Sequence, residues 1–150
     1  MSLEDWLNKG RLKQHKTSQN EIKQLLDVFV RDTADAESNT ISIDRRFATA
    51  YNAALMASTA ALAASGYRAA GKGHHYWTIQ SLAFTLKMDT DTIEEFNRFR
   101  RKRNTVDYER IGSVSQREVL EMLELAKNIR DKLEIWLMQN HPELVSRNDQ

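Results

Sequence analysis

The sequence predicts an all-α protein: an up-and-down bundle of four or five mostly antiparallel helices joined by short connections. Three observations carry that prediction. Apolar residues recur at spacings of three and four through most of the 150 residues, which is the period of one helix face. The single proline, Pro142, stands almost at the C-terminus, so the strongest helix breaker interrupts nothing before it. Serine, threonine and aspartate precede the apolar runs, glycines punctuate between them, and no alternating polar and apolar stretch of strand length is present.

Taken in order, Ser2-Leu3-Glu4-Asp5 reads as the cap of a short first helix over residues 2–9. Ser18-x-x-Glu21 forms a capping box ahead of Ile22, Leu25, Leu26 and Phe29, and predicts a second helix to about Glu37. Ser42 or Asp44 then caps a long helix from about Arg45 to Ala70. In it Phe47, Ala50, Ala54, Ala57, Ala61 and Ala64 make a stripe of mostly small residues, against which another helix can approach closely. His74 to Lys87 predicts a shorter, well-buried helix with Tyr76, Ile79, Ala83 and Leu86 on one side and Trp77 and Phe84 on another.

Asp89 to Thr92 offers several caps for a fifth helix, anchored by Ile93, Phe96 and Phe99 and running to Tyr108, with Gly112 closing the next turn. A second capping box, Ser115-x-x-Glu118, opens the final helix. Its seam of Val119, Met122, Ala126, Ile129, Leu133 and Trp136 packs either inside the bundle or against a second subunit. The length suits one domain, with a core over about residues 18–140 and a polar tail at 143–150.

Composition narrows the function. Hydrophobic residues make up 41% and charged residues 29%, a globular balance. A formal charge of +1 excludes a general nucleic-acid coater, so any such contact must be local. The absence of cysteine excludes disulfides, thiolate catalysis and cysteine-based zinc sites. The start, MSLEDWLNKGRLK, has no secretory pattern. The most apolar stretch, Phe47 to Tyr67, is broken by Asn52, Ser58, Thr59 and Ser65, so a cytoplasmic protein with no membrane contact is expected.

Chemistry concentrates in one place. Arg98 to Arg103 puts five cations in six positions, with Asn104, Asp107 and Tyr108 close behind. On a helix, Arg100, Arg103 and Asp107 continue the stripe that Ile93 and Phe96 begin, with Asn104 and Tyr108 beside it. One reading is a solvated basic face with an Arg103–Asp107 pair, worth a few tenths of a kcal/mol. The other is a phosphate site, in which Arg supplies a planar fork and Asn and Tyr supply neutral donors. Two details favour the second: the acid comes after the Arg, the less favourable order for an intrahelical pair, and the cations continue a core stripe.

At these residues the chain resembles the HEPN superfamily of small helical domains, whose hallmark is Arg, a polar residue often Asn, three further positions and His. Arg103-Asn104-Thr105-Val106-Asp107-Tyr108 matches the Arg and the Asn and places Tyr108 where the His is expected. The resemblance spans roughly Ile43 to Leu137 in helix order. It implies binding of RNA or nucleotide phosphate, and in active members metal-independent RNA cleavage without a cofactor across a homodimer. It also implies a toxin–antitoxin or defence setting, with an antitoxin or nucleotidyltransferase-like partner. Carried over, Arg103 steadies phosphate and Tyr108 takes the proton-transfer place, with Arg100, Asn104 and Asp107 at the binding surface. A tyrosine with a reference pKa near 10 is a weak base at neutrality compared with histidine near 6.5, which weakens the ribonuclease expectation. The alternative is a catalytically inactive helical interaction module.

The remaining candidates carry less. His74 and His75 point about 100° apart on a helix, and no His or carboxylate stands four positions from either, so no metal site is expected. Gly71-Lys72-Gly73 reads as a turn. Trp77 and Trp136 read as core or interface anchors, and Asp89, Asp91, Glu94 and Glu95 as first-turn caps.

Overall fold

The computed structural model describes residues 1–108 and 114–145, with 105–108 described as backbone only. The elements are α1 (Leu3–Asn8), β1 (Leu12–Gln14), α2 (Gln19–Glu37), α3 (Ile43–Ala64), β2 (Tyr67–Ala69), α4 (His74–Gln80), α5 (Leu82–Thr85), α6 (Thr90–Tyr108) and α7 (Gln116–Asn140). A 3₁₀ turn at Pro142–Leu144 comes last. The fold is the predicted all-α bundle, and no helix among the described residues is long and apolar enough to cross a membrane.

The helices begin where side-chain oxygens capture free backbone N–H groups. The hydroxyls of Ser2, Ser18, Ser42 and Ser115 each accept from the backbone N–H three residues on. At α7 the box is reciprocal, since the Glu118 carboxylate accepts from the Ser115 N–H at 3.0 Å. At α2 it is half a box. Glu21 turns instead to the Thr17 hydroxyl at 2.6 Å and the His15 ring at 2.7 Å, and these partners hold its carboxyl below its ordinary range against the opposing effect of burial.

α3 is the central helix, packed chiefly between α2 and α7. Its alanines explain why it can sit there: Ala50, Ala53, Ala54, Ala57, Ala60 and Ala61 are all fully buried. A helix clad in methyl groups accepts neighbours on several faces, so α2 presses Ile22, Phe29 and Ala36 against this core and α7 presses Val119, Met122, Ala126, Ile129 and Leu133. The α7 seam is therefore internal, and it ends at buried Leu137. Trp136 lies at the edge, partly exposed, with its ring 4.9 Å from that of His141. Between α2 and α3, the buried Asp32 carboxylate accepts from Asn52 at 2.6 Å and pairs with Arg31 at 3.0 Å.

Three expectations are corrected. The long helix stops at Ala64, not Ala70, because Gly66 takes φ 97°, a conformation L side chains rarely adopt, and turns the chain away. The chain then enters strand β2, antiparallel to β1 with Leu12 opposite Ala69 and Gln14 opposite Tyr67. Three residues per strand are too few for a period of two to be read. This small ribbon closes a second apolar cluster in which Trp6, Leu12 and Leu62 are buried, with Trp77 and Phe84 both edge-on to Trp6 at 5.0 Å. Lastly, the helix expected over His74 to Lys87 is two pieces that meet at Ser81, whose hydroxyl donates to the Thr78 carbonyl. Its inward stripe is Ile79, Leu82 and Leu86, while Ala83 is exposed and Tyr76 half-buried.

Candidate functional site

The cap of α6 comes from Asp89, whose carboxylate accepts from the Thr92 N–H at 2.7 Å and is held below its ordinary range by Thr92. From there Ile93, Phe96 and Phe99 drive the helix into the core. One turn beyond Phe96 and Phe99, the same face carries Arg100 and Arg103, both half-buried. Arg100 Nε donates to Asn97 Oδ1 at 2.8 Å, and its guanidinium carbon lies 5.6 Å from the centre of the Tyr76 ring. Arg103 Nε is closed off from solvent.

The other cations of the run behave differently. Lys102 pairs with Glu118 at 3.0 Å and ties α6 to the start of α7. Arg98 is exposed, lying 4.6 Å from the centre of the Phe99 ring, and Arg101 and Asn104 are exposed. The run of five therefore divides into Arg98 and Arg101 on the outside, Lys102 tied to α7, and Arg100 and Arg103 half-buried on the face that continues Phe96 and Phe99. The side chains of Asp107 and Tyr108 lie outside the described residues, as do the Arg103–Asp107 pair and Gly112.

Opposite the two arginines stand residues from two other helices. Tyr51 of α3 is buried, edge-on to Phe96 at 5.7 Å and tilted against His75 of α4 at 6.2 Å. Its hydroxyl is closed to solvent and finds no hydrogen-bond partner among the described residues. Burial pushes the Tyr51 pKa up to about 12, outweighing the downward pull of Arg100 and Arg103. His75 is half-buried, and its pKa is pushed below the ordinary value, first by burial and then by His74, Arg103 and Arg100. His74 itself is exposed, with its ring 4.4 Å from that of His75.

The corner between α3, α4 and α6 thus gathers Tyr51, His75, Arg100 and Arg103. Sequence spacing places the arginines on an inward stripe. It misses His75, because spacing compares neighbours on one helix only, and it misses Tyr51, because a tyrosine on an alanine stripe reads as core. The legible signal is the spacing Phe47, Tyr51, Ala54, which sets a hydroxyl on the buried face of α3.

Beside this corner a groove of about 760 Å³ runs along the outer face of α4 and the first half of α6. Tyr76, Arg98 and Arg101 line one part, but Asp91, Glu94 and Glu95 line the rest, so it offers an anion much less than the corner does. Among the described residues no three side chains of metal-ligating type converge. No protein-family model and no curated protein matches this chain.

Proposed function

We propose that this chain binds RNA or nucleotide phosphates at the corner formed by α3, α4 and α6. The observation that carries the reading is the pair of half-buried guanidiniums, Arg100 and Arg103, on the face that Phe96 and Phe99 hold against the core. Arginine keeps its charge in such a setting, and its planar donors match phosphate oxygens. Partial burial strengthens each contact relative to one in open water. A net charge of +1 is no obstacle, because the field acts locally.

The resemblance of Arg103-Asn104 to the HEPN hallmark supports the same reading. On that resemblance the chain is a metal-independent endoribonuclease of a toxin–antitoxin or defence system, working as a homodimer in the cytoplasm. Tyr108 in the histidine place argues for weak cleavage. The apolar seam of α7 gives the homodimer no support, because it is spent on the bundle's own core; the half-patch of arginines is what favours a second copy.

The test is retention and cleavage of single-stranded RNA by the purified protein, with Arg103→Ala beside it. Wild type is expected to retain RNA in a salt-sensitive manner and Arg103→Ala to lose most of that retention while melting at a similar temperature. A folded wild type that neither retains nor cuts RNA would overturn the reading and leave the interaction module.

A further inference from the structure

The corner is unusual in what it lacks. Guanidinium groups donate and never accept, a protonated imidazole only donates, and a phenol needs an acceptor for its proton. Arg100 has spent Nε on Asn97 and has no carboxylate partner among the described residues. The Tyr51 hydroxyl has no partner there either, although buried hydroxyls are normally satisfied. The acceptors this group offers are the phenol oxygen itself and the free ring nitrogen of neutral His75, and neither is negatively charged. An oxyanion supplies the acceptors that all three side chains want.

We infer that His75, Arg100 and the Tyr51 hydroxyl form a subsite for a tetrahedral oxyanion, the phosphate of a nucleotide or of an RNA backbone, and that His75 takes up a proton when the anion binds. The inference deepens the proposed function and rests on it for the identity of the ligand. Tyr51 Oη is closed to solvent, whereas His75 and Arg100 are half-exposed, so an anion would reach the last two first.

The proton uptake is dictated by the surroundings. The titratable and charged groups acting on His75 among the described residues all disfavour its protonated form: His74 on its own helix, and Arg103 and Arg100 on α6. Tyr51 from α3 stays neutral across ordinary pH. With no anion present, burial and the two guanidiniums favour the neutral imidazole near pH 7. An anion at Arg100 reverses the balance, because a negative charge a few ångströms away favours the imidazolium. Linkage then requires the converse, so anion affinity must fall as pH rises through the window between the free and bound His75 titrations.

The experiment uses the full chain with sulfate, whose charge stays fixed across that window, and tracks the His75 ring by NMR from pH 5 to 8. Sodium chloride of equal ionic strength is the control. Sulfate is expected to raise the His75 titration midpoint by about one unit or more. Sulfate affinity should fall by up to about tenfold per unit of rising pH, the limit for one proton. Arg100→Met should abolish both effects, Arg100→Lys should keep part of them, and His75→Gln should leave an affinity flat with pH. The diribonucleotide UpU, also of constant charge, separates a backbone phosphate from a free anion: a shift with UpU as well as with sulfate assigns the subsite to the RNA backbone, and a shift with sulfate alone assigns it to free or terminal phosphate. A His75 titration that neither sulfate nor UpU moves would overturn the inference, even if RNA were still retained through Arg103. A clear sulfate shift in a protein that ignores RNA would uphold the subsite and sink the RNA reading instead.

Discussion

α6 and α7 begin alike and end differently. Each opens on a side-chain cap and each lays apolar residues on one face at spacings of three and four. In α7 the stripe stays apolar for the length of the helix, and Val119, Met122, Ala126, Ile129, Leu133 and Leu137 are all buried. In α6 it stays apolar through Ile93, Phe96 and Phe99, then continues as Arg100 and Arg103. Two further cations along a surface face would mean little. Two cations continuing a buried face hold charge against the low-dielectric side of the molecule, a costly placement unless something nearby compensates. The place where a core stripe changes its chemistry is therefore more informative than the stripe itself.

Changing one residue of each stripe tests the contrast between the two helices most directly. Leu133→Ala removes fully buried atoms facing α3 and should destabilise by about 2–5 kcal/mol, the range for large-to-small changes in cores. Arg100→Met keeps the length of the side chain and removes its charge, and should shift stability by no more than about 0.5 kcal/mol. Urea unfolding of the two variants measures both. A large loss in Arg100→Met would mean that its guanidinium is structural and that the contrast between the helices is false.

A smaller effect separates the two capping boxes. Ser115→Ala removes a hydroxyl that is one half of a reciprocal pair with Glu118, a residue that also receives Lys102 from α6. Ser18→Ala leaves Glu21 with Thr17 and His15. Cap losses run to about 0.5–2 kcal/mol, and Ser115→Ala is expected near the top of that range with Ser18→Ala near the bottom. Thermal melts that rank the two variants the other way would show that the reciprocal bond adds nothing.

These contrasts also show what the sequence carried. The bundle was legible because helix signals are local: the caps at Ser2, Ser18 and Ser115, the small-residue stripe of α3 and the seam of α7 are all written within a few turns. The ribbon was not. β1 and β2 are three residues each, and their pairing joins positions more than fifty residues apart, with only Gly66 to mark where the helix gives way. The site was half legible for the same reason. Arg100 and Arg103 lie on one helix, where spacing reveals their shared face, whereas Tyr51 and His75 reach the corner from two other helices through tertiary packing that no spacing encodes.

The smallest effect is a pH dependence that belongs to the α6 end of the molecule alone. In the unfolded chain His75 titrates near its ordinary 6.5, whereas in the fold it is held lower, by burial first and by His74, Arg103 and Arg100 after that. Just below pH 6.5 the unfolded chain therefore binds more protons than the native one, and stability declines as pH falls from about 6.5 toward the depressed native value, then levels off. The carboxyls held low in the fold, Glu21, Glu118 and Asp89, act in a separate window. Their contributions are complete above the ordinary values of 4.5 for Glu and 3.8 for Asp and are lost only as pH falls below them. Urea midpoints taken between pH 7.5 and 5.0 should drop modestly in wild type, and His75→Gln should remove much of that drop, since glutamine has no proton to take up. Leu133→Ala should lower every midpoint without altering the slope. Sulfate should flatten the wild-type profile by giving the imidazolium a counter-charge, and a profile that sulfate leaves unchanged would remove His75 from any anion site beside α6.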